Sequence, residues 1–256
     1  MPDKYICRVV ENEKLAENVY SVTVISGEIA SEARAGQFLH IKCGEERLLR
    51  RPISICSVHG NAIEFVFEVR GAGTEWLSRI LPGQYLDIIG PLGNGFSIPE
   101  GKIVTVGGGI GTPPMLFAAE TARGEVSAVL GFQSKDRILL KEKFEAVCDK
   151  VYVTTDDGSF GICVTVTVPL QKMLKSGRYS AVLACGPKAM LSAVAELCKQ
   201  YGTPCQVSME ERMGCGVGAC LVCACETIDE GVKSMSRVCR DGPIFDAVGI
   251  FRIPAE

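Results

Sequence analysis

The chain has 256 residues, with a hydrophobic fraction of 47%, a charged fraction of 22% and a formal net charge of −3. These values are typical of a globular protein of two or more domains, and they provide no basic field that would attract nucleic acid. No apolar run is long enough to span a bilayer, and the first residues resemble neither a signal nor a transit peptide, so a cytoplasmic location is expected.

Short strand-like runs separated by turn residues make up the first hundred residues. The predicted strands are Tyr5–Val10, Val19–Ile25, Gln37–Cys43, Ile53–Val58, Ile63–Val69 and Tyr85–Ile89. One helical segment, Thr74–Leu81, interrupts them, and Thr74 is its predicted N-cap. Many short strands with little helix favour a closed antiparallel β-barrel.

Two motifs in this region have the chemistry of a nucleotide site. Arg50-Arg51-Pro52-Ile53-Ser54 places two cations beside a strand, and arginine binds phosphate through paired hydrogen bonds. Ser54 is a candidate hydrogen-bond partner for the edge of a flavin ring. Gly71-Ala72-Gly73-Thr74 is a glycine turn before a helix, which suits an anion. Taken alone, two such arginines usually mark a basic strand end that faces solvent, and the glycine turn has an ordinary loop as its alternative.

Strands alternate with helices after residue 100, which predicts a parallel, doubly wound sheet. The predicted strands are Lys102–Val106, Val126–Phe132, Val151–Thr155 and Val182–Cys185, and the predicted helices are Pro113–Ala122, Phe144–Cys148, Val168–Leu174 and Pro187–Tyr201. The chain is therefore predicted to be a multidomain α+β and α/β protein. Its units are a barrel at 1–99, a doubly wound sheet at 100–209 and a cysteine-rich segment at 210–256.

A glycine-rich turn, Gly107-Gly108-Gly109-Ile110-Gly111, lies at the first strand-to-helix junction of the predicted sheet. Glycines there let the backbone approach a pyrophosphate at the helix N-terminus. A tight turn without a ligand is the alternative, because the full G-x-G-x-x-G fingerprint is absent. Cys185-Gly186 ends a later strand of the same sheet, and Cys185 either borders a nicotinamide ring or is simply a buried cysteine.

Four cysteines near the C-terminus are the most specific feature of the sequence. Cys215, Cys220 and Cys223 follow the C-x4-C-x2-C spacing, and Cys239 comes fifteen residues later. This is the plant-type ligand spacing of a [2Fe–2S] cluster. Structural zinc and disulfides are the alternatives, but zinc ribbons usually use two C-x2-C pairs, and thirteen cysteines without a secretory signal favour reduced thiols.

Taken together, these motifs resemble the ferredoxin-NADP reductase superfamily, and more closely the iron–sulfur electron-transfer subunits of class 1B dihydroorotate dehydrogenase. The resemblance covers essentially the whole chain. It is carried by the motifs already quoted and by Ala35-Gly36-Gln37-Phe38, Gly90–Phe96, Thr155-Asp156-Asp157-Gly158, Ser208–Cys215 and Cys239–Pro243.

The resemblance implies which residues bind the cofactors. FAD is expected at Arg51, Pro52, Ile53, Ser54, Val66, Phe67, Glu68, Gly73 and Thr74, although Phe67-Glu68 replaces the Tyr-Arg common in the family. NAD is expected at Gly107, Gly109, Gly111, Cys185 and Gly186, and the cluster at Cys215, Cys220, Cys223 and Cys239. No residue of this chain is predicted to be catalytic.

The resemblance also implies electron relay in pyrimidine biosynthesis. An FMN-containing catalytic subunit would oxidise dihydroorotate, and electrons would pass through the cluster and FAD to NAD+, in a heterotetramer with two copies of each subunit. NAD is expected in preference to NADP, although Lys135 and Arg137 lie where they would contradict this. The tail Gly242–Phe251 and the loop Gly214–Ala219 are candidate docking surfaces, with packing inside the chain as the alternative for the tail.

Two other functions fit the same motifs. The first is the small flavin and iron–sulfur subunit of an NADH-dependent ferredoxin:NADP oxidoreductase or of a sulfide dehydrogenase. Their cluster segments tend toward an aspartate ligand or a different spacing. The second is a zinc-binding module on a nucleotide-sensing domain. That protein would be colourless, whereas an iron–sulfur flavoprotein is brown.

Overall fold

The computed structural model describes residues 3–46, 48–229 and 231–251, so the outer ends of the predicted units 1–99 and 210–256 lie outside it. Six strands in the N-terminal part form a closed antiparallel barrel in the order β1-β2-β5-β4-β3-β6. They are β1 (Lys4–Ala16), β2 (Val19–Ile25), β3 (Phe38–Ile41), β4 (Arg51–His59), β5 (Ala62–Glu68) and β6 (Tyr85–Leu92). The predicted barrel is confirmed.

Alternation of side chains along the strands explains why this region closes on itself. In β2, Val22 and Val24 are completely buried, and on the paired strand β5 so are Ile63 and Phe65. Successive side chains of a strand point to opposite faces, so such a pattern gives each strand one apolar face for the barrel interior.

The barrel region contains two helices, α1 (Gly27–Glu32) and α2 (Ala72–Ser78), so the prediction of a single helical segment was wrong. Ser26 begins α1, because its hydroxyl accepts a hydrogen bond from Ile29 N at 3.3 Å. The assignment of Thr74 as N-cap was also wrong: Gly71 is the N-cap of α2. Thr74 lies in the first turn, and its hydroxyl accepts a hydrogen bond from Gly71 N at 3.3 Å.

The remaining strands and helices follow in the order expected of a doubly wound fold. The strands are β7 (Ile103–Gly108), β8 (Val126–Phe132), β9 (Lys150–Thr155), β10 (Ala181–Cys185), β11 (Cys205–Ser208), β12 (Ala224–Asp229), β13 (Val232–Arg237) and β14 (Ile244–Asp246). The helices are α3 (Thr112–Thr121), α4 (Lys141–Val147), α5 (Thr167–Ser176), α6 (Lys188–Gln200) and α7 (Ala247–Phe251).

A six-stranded sheet organises this half of the molecule in the order β14-β11-β10-β7-β8-β9. Strands β7 to β11 are parallel, and β14 joins the edge antiparallel to β11. The strand order reverses at β7, which is the position where ligands bind in doubly wound sheets. The predicted parallel sheet is confirmed.

The cysteine-rich segment leaves the sheet after β11 and returns to it at β14. Its two ends meet, because Met209 N donates a hydrogen bond to Pro243 O at 2.8 Å. Asn94 N, in the loop after the barrel strand β6, donates to Gly242 O at 2.6 Å. Between these ends, β12 and β13 form a separate two-stranded sheet. The segment is therefore tied to both the sheet and the barrel.

The C-terminal tail packs within the chain, which was the alternative to its role as a docking surface. Ile244 is 8% exposed, and a methyl group at Gly36 of the barrel would lie 2.8 Å from its side chain. Val248 remains exposed. Among the described residues, the helices are all too short or too polar to cross a membrane.

Candidate functional site

A cavity of about 430 Å³ opens between the barrel and the segment that follows β11. Eight of the nine residues expected to bind FAD line it: Arg51, Pro52, Ile53, Ser54, Val66, Phe67, Glu68 and Thr74. The opposite wall is formed by Ser208, Met209, Glu210, Glu211, Met213 and Pro243. The volume is within the range of small-molecule and cofactor sites, so the barrel motifs converge on one candidate flavin cavity.

The ninth residue, Gly73, lies directly behind Arg51. A methyl group at Gly73 would be 2.5 Å from Arg51 Nε, so the glycine lets the guanidinium approach α2 closely. Arg51 Nη1 also donates to Leu49 O at 2.6 Å, which fixes the side chain beside the cavity. The guanidinium is thus held in place at the mouth of the flavin cavity and can bind a phosphate there.

Glu68 is a departure from the family pattern, and the structure shows how its charge is balanced. Its carboxylate accepts a hydrogen bond from Arg70 Nε at 2.8 Å. Arg137 Nη1 lies 3.6 Å from the other carboxylate oxygen. Two arginines from different parts of the chain therefore surround an acid at the position where the family commonly has a basic residue.

A second cavity, of about 730 Å³, lies at the carboxyl ends of β7, β8 and β9. Gly109, Gly111 and Gly186, three of the residues expected to bind NAD, line it. A methyl group at Gly111 would lie 2.5 Å from the carbonyl oxygen of Cys185. The turns that follow β7 and β10 can approach this closely only because glycine occupies position 111.

The other two residues expected to bind NAD lie behind the wall of this cavity. A methyl group at Gly107 would be 2.8 Å from Thr112 Cα, so this glycine serves the packing of β7 against α3. Cys185 is 2% exposed. Burial, with a smaller contribution from Glu210, raises the pKa of its thiol to about 12. Cys185 is thus a buried, protonated neighbour of the cavity.

The charged residues of the second cavity bear on the choice between NAD and NADP. Asp156, at the end of β9, lines the cavity. Arg137 also lines it, but its Nη1 donates to Glu17 O at 2.8 Å and faces Glu68. Lys135 is exposed and is not among the lining residues. An acid at the wall repels a 2′-phosphate, whereas the nearby arginine is already engaged.

The two cavities share a wall. Glu68, Arg70, Ile110 and Glu210 line both of them. Molecules bound in the two cavities would therefore meet across these four side chains. The chain continues from Glu210 along the first cavity to Met213 and directly into the cysteine loop.

Backbone N–H groups converge on the cysteine sulfurs. Cys215 Sγ accepts from Val217 N at 3.4 Å, from Ala219 N at 3.2 Å and from Cys220 N at 3.4 Å. Cys239 Sγ accepts from Gly218 N at 3.1 Å. Such donors stabilise thiolates, which are the metal-binding form of cysteine. Although burial opposes the shift, these donors lower the pKa of Cys215 to about 6.

The four thiols form two pairs. Within one pair, Cys215 N donates a hydrogen bond to Cys220 Sγ at 3.4 Å, and within the other, Cys239 N donates to Cys223 Sγ at 3.4 Å. In the described part of the chain, no three metal-ligating side chains converge on one point that would bind a single ion. Tetrahedral zinc needs four ligands around one point. A [2Fe–2S] cluster takes two thiolates on each of two irons, and the paired arrangement suits it.

Comparison with known proteins supports this interpretation. A family profile described as "Iron-sulfur cluster binding domain of dihydroorotate dehydrogenase B" matches residues 210–250. The chain is 41% identical to the "Dihydroorotate dehydrogenase B (NAD(+)), electron transfer subunit" of Caldanaerobacter subterraneus subsp. tengcongensis. This match covers 94% of this chain and 96% of the relative. A protein of the same description from Clostridium perfringens is 40% identical over 95% of this chain and 96% of the relative. The chain belongs to the family of dihydroorotate dehydrogenase B electron transfer subunits.

Solved structures extend the comparison. The structure described as "Insights into flavin-based electron bifurcation via the NADH-dependent reduced ferredoxin-NADP oxidoreductase structure" has a TM-score of 0.86 and 29% identity, covering 98% of this chain and 91% of that one. A "Ferredoxin reductase in carbazole 1,9a-dioxygenase" has a TM-score of 0.67 and 20% identity, covering 79% of this chain and 67% of that one. This second likeness shows the shared barrel-and-sheet fold.

Sequence reasoning missed several residues at the sites of this family member. Glu210 and Arg70 separate the two cavities, and Asp156 lines the second. Asp156 and Glu210 each lie in a quoted motif, whereas Arg70 had no signal in the sequence. His40, one of two histidines, belongs to none of the motifs of the sequence, yet its ring lies against Gly216 of the cysteine loop.

Proposed function

We propose that this chain is the electron transfer subunit of an NAD-linked dihydroorotate dehydrogenase and that it passes electrons from a catalytic partner to NAD+ in pyrimidine biosynthesis. The observation that carries the proposal is the arrangement of the three candidate sites. The nucleotide cavity shares a wall with the flavin cavity, and the flavin cavity leads along Met209 and Met213 to the cysteine loop. This order matches the chemistry, because a flavin exchanges single electrons with iron–sulfur centres and hydride with nicotinamide.

Each group of residues has a distinct task under this proposal. Arg51 and Thr74 would bind the FAD phosphates, while Ser54 and the backbone from Val66 to Glu68 would hold its ring. Gly109, Gly111 and Gly186 would let the NAD pyrophosphate approach the sheet, with Gly107 and Cys185 supporting those turns from behind. Cys215, Cys220, Cys223 and Cys239 would ligate the [2Fe–2S] cluster.

The shared wall would position the nicotinamide against the flavin. Ile110 is apolar and lines both cavities, so it would exclude water from the place where the two rings meet. Arg70 is bound to Glu68, and the pair would keep the charge of this boundary balanced. Hydride transfer needs close contact of its two rings, which a dry and rigid boundary favours.

The partner is expected to be an FMN-containing catalytic subunit, in a complex of two copies of each chain. The support for a partner is the set of sites in the part of the chain that the structure describes: two cavities for nucleotides and a cysteine loop, with no site for dihydroorotate recognised among those residues. A cytoplasmic location remains a prediction from the sequence.

Co-expression with a dihydroorotate dehydrogenase catalytic subunit tests the proposal. We expect a brown complex that forms NADH from dihydroorotate and NAD+. In the Cys220→Ser complex, NADH should still bleach the FAD, because that step needs only the two cavities. Formation of NADH from dihydroorotate should fall to background. A colourless, iron-free chain, or a wild-type complex without this activity, would refute the proposal.

The likeness at TM-score 0.86 supports a second candidate, the small subunit of an NADH-dependent ferredoxin:NADP oxidoreductase. The identities of 40–41% to the dihydroorotate dehydrogenase B subunits exceed the 29% identity to that structure, which favours the first candidate. Reduction of NADP+ by reduced ferredoxin, in the presence of NADH, would distinguish the second candidate from the first.

A further inference from the structure

His40 is a buried side chain with no hydrogen-bond partner. It lies on the barrel strand β3 and is 1% exposed. Neither Nδ1 nor Nε2 has a partner among the described residues. Buried polar groups are almost always paired in native proteins, so each exception calls for an explanation such as a bound group.

The position of the His40 imidazole indicates which part of the molecule would provide its missing hydrogen-bond partner. A methyl group at Gly216 would lie 2.5 Å from His40 Nδ1, so the ring is in contact with the backbone next to Cys215. Gly216 has a φ of +72°, which also favours glycine there. Either a side chain at position 216 or a larger one at position 40 would push the cysteine loop away from the barrel.

The same histidine is next to the candidate flavin cavity. In the register of β3 with β4, His40 pairs with Pro52, which lines that cavity. Its ring therefore bridges the strand of the flavin motif and the loop of the cysteine motif. His40 is thus one connection between the flavin motif and the cysteine loop, beside the chain itself at Met213.

Protein groups around the ring do not explain its buried donor. The charged groups that act on the ring are Arg50 and Arg51, and Arg50 Nη1 donates to the carbonyl oxygen of His40 at 3.3 Å. An arginine is a donor only, so it cannot accept from an imidazole N–H. The guanidinium is also engaged with Asp87, at 2.7 Å from its carboxylate. The ring N–H is left to find an acceptor on the side of the cysteine loop.

We propose that His40 donates an imidazole N–H hydrogen bond to a sulfur of the cluster held by Cys215, Cys220, Cys223 and Cys239, and so raises its reduction potential. This inference rests on the proposed function, because it requires that the loop hold the cluster. Hydrogen bonds to cluster sulfurs stabilise the more negative, reduced state. His40 thus favours the reduced state of the cluster, and it does so from the side of the molecule that faces the flavin cavity.

The first experiment needs no mutation at position 40. The chain contains two histidines, so labelling histidine with 15N marks only His40 and His59. In the full-length protein with its cofactors, pulsed EPR of the dithionite-reduced cluster should show a 15N coupling from an imidazole. His59→Gln is the matched control, because this histidine is exposed and lies beside Glu120, away from the loop. The coupling should persist in His59→Gln and disappear in His40→Leu.

The second experiment measures the midpoint potential of the cluster by redox titration. We expect His40→Leu to lower it by an amount equal to at least a tenfold change in the ratio of reduced to oxidised cluster, about 59 mV for one electron. His40→Gln keeps an N–H donor and should recover part of the shift. The pattern of coupling and potential separates a hydrogen-bond donor from a space-filling ring.

The outcomes distinguish this inference from the proposed function. Absence of iron in the wild-type protein would overturn the proposed function. A wild-type cluster with no 15N coupling would overturn the role of His40 alone, and so would an unchanged midpoint in His40→Leu. If His40→Leu fails to assemble a cluster, the labelled wild-type protein and His59→Gln still decide the question.

Discussion

The flavin cavity and the cysteine loop are constructed in different ways. The cavity is walled by β4 and β5, whose inward residues fill the barrel core. The loop around Cys215 to Cys223 contains no strand or helix, and its Leu221 and Val222 are 63% and 56% exposed. Packing thus fixes the first site before any ligand binds. The cysteine loop is shaped mainly by backbone N–H groups directed at sulfur, so its ordered conformation depends more on the bound cluster.

The largest expected effect follows from removing one ligand of the loop. Cys220→Ser should abolish the cluster and leave most of the FAD, because the flavin cavity does not depend on this residue. Iron and sulfide analysis, together with flavin quantitation, measures both. Cys225→Ser is the matched control, since Cys225 lies on β12, outside the four-cysteine set, and this variant should keep its iron. Wild-type iron content in Cys220→Ser would contradict the ligand assignment.

Removal of iron from the intact protein tests directly whether the cysteine loop depends on its ligand more than the flavin cavity does. With a chelator under reducing conditions, residues 210–242 should become sensitive to proteases and exchange their amide hydrogens faster. The barrel strands should keep their protection, because their hydrogen bonds and core do not involve the metal. Hydrogen exchange read by mass spectrometry would show this contrast. Equal loss of protection in both regions would mean that the barrel also depends on the cluster.

Arg51→Ala should weaken FAD binding by about ten- to a hundredfold, because a charge-assisted contact contributes about 1.5–3 kcal/mol. Flavin occupancy after dilution and gel filtration measures this loss. Arg50→Ala is the matched control. Arg50 is bonded to Asp87 across the barrel, so its loss should lower the free energy of unfolding and change FAD affinity less. Equal effects of the two variants on FAD would count against the assigned phosphate contact.

The smallest expected effect concerns the nucleotide cavity, which resembles the flavin cavity in being walled by packed elements. Asp156→Ser should reduce the preference for NADH over NADPH by about tenfold, or ~1.4 kcal/mol, since it removes a negative charge from the wall of the nucleotide cavity. Steady-state rates with both cofactors measure the ratio. Asp157→Ser is a control, because that carboxylate is bound to Ser159 within its own turn. A wild-type preference for NADPH would refute the expectation of NAD.

Local patterns in the sequence were sufficient for most of the fold. β2 and β8 occupy the predicted ranges Val19–Ile25 and Val126–Phe132, because their apolar residues and flanking turns mark both ends. The pair β12–β13 was not predicted, since the side chains of β13 are mostly exposed, including Val232 and Met235, and give no buried apolar face. Helix α1 was missed because Ser26-Gly27 also marks a turn.

The candidate sites also contain residues that local sequence patterns mark and residues that they do not. Arg51 to Ser54 and the four cysteines are contiguous or regularly spaced motifs, so the sequence was enough to single them out. The contact of His40 with Gly216, and the wall shared by Arg70 and Glu210, join residues more than a hundred positions apart. Such pairs leave no periodic signal in a single sequence, and only the folded chain reveals them.

The hydrogen bond between Met209 N and Pro243 O has a consequence for how this chain arose. Residues 210–242 leave the sheet after β11 and re-enter it beside the same strand, so the two ends of the segment already touch. A segment of this kind can be gained or lost without rerouting the rest of the chain. A nicotinamide reductase would need to gain only one such segment, at one edge of its sheet, to acquire an electron-transfer site that can face a partner protein.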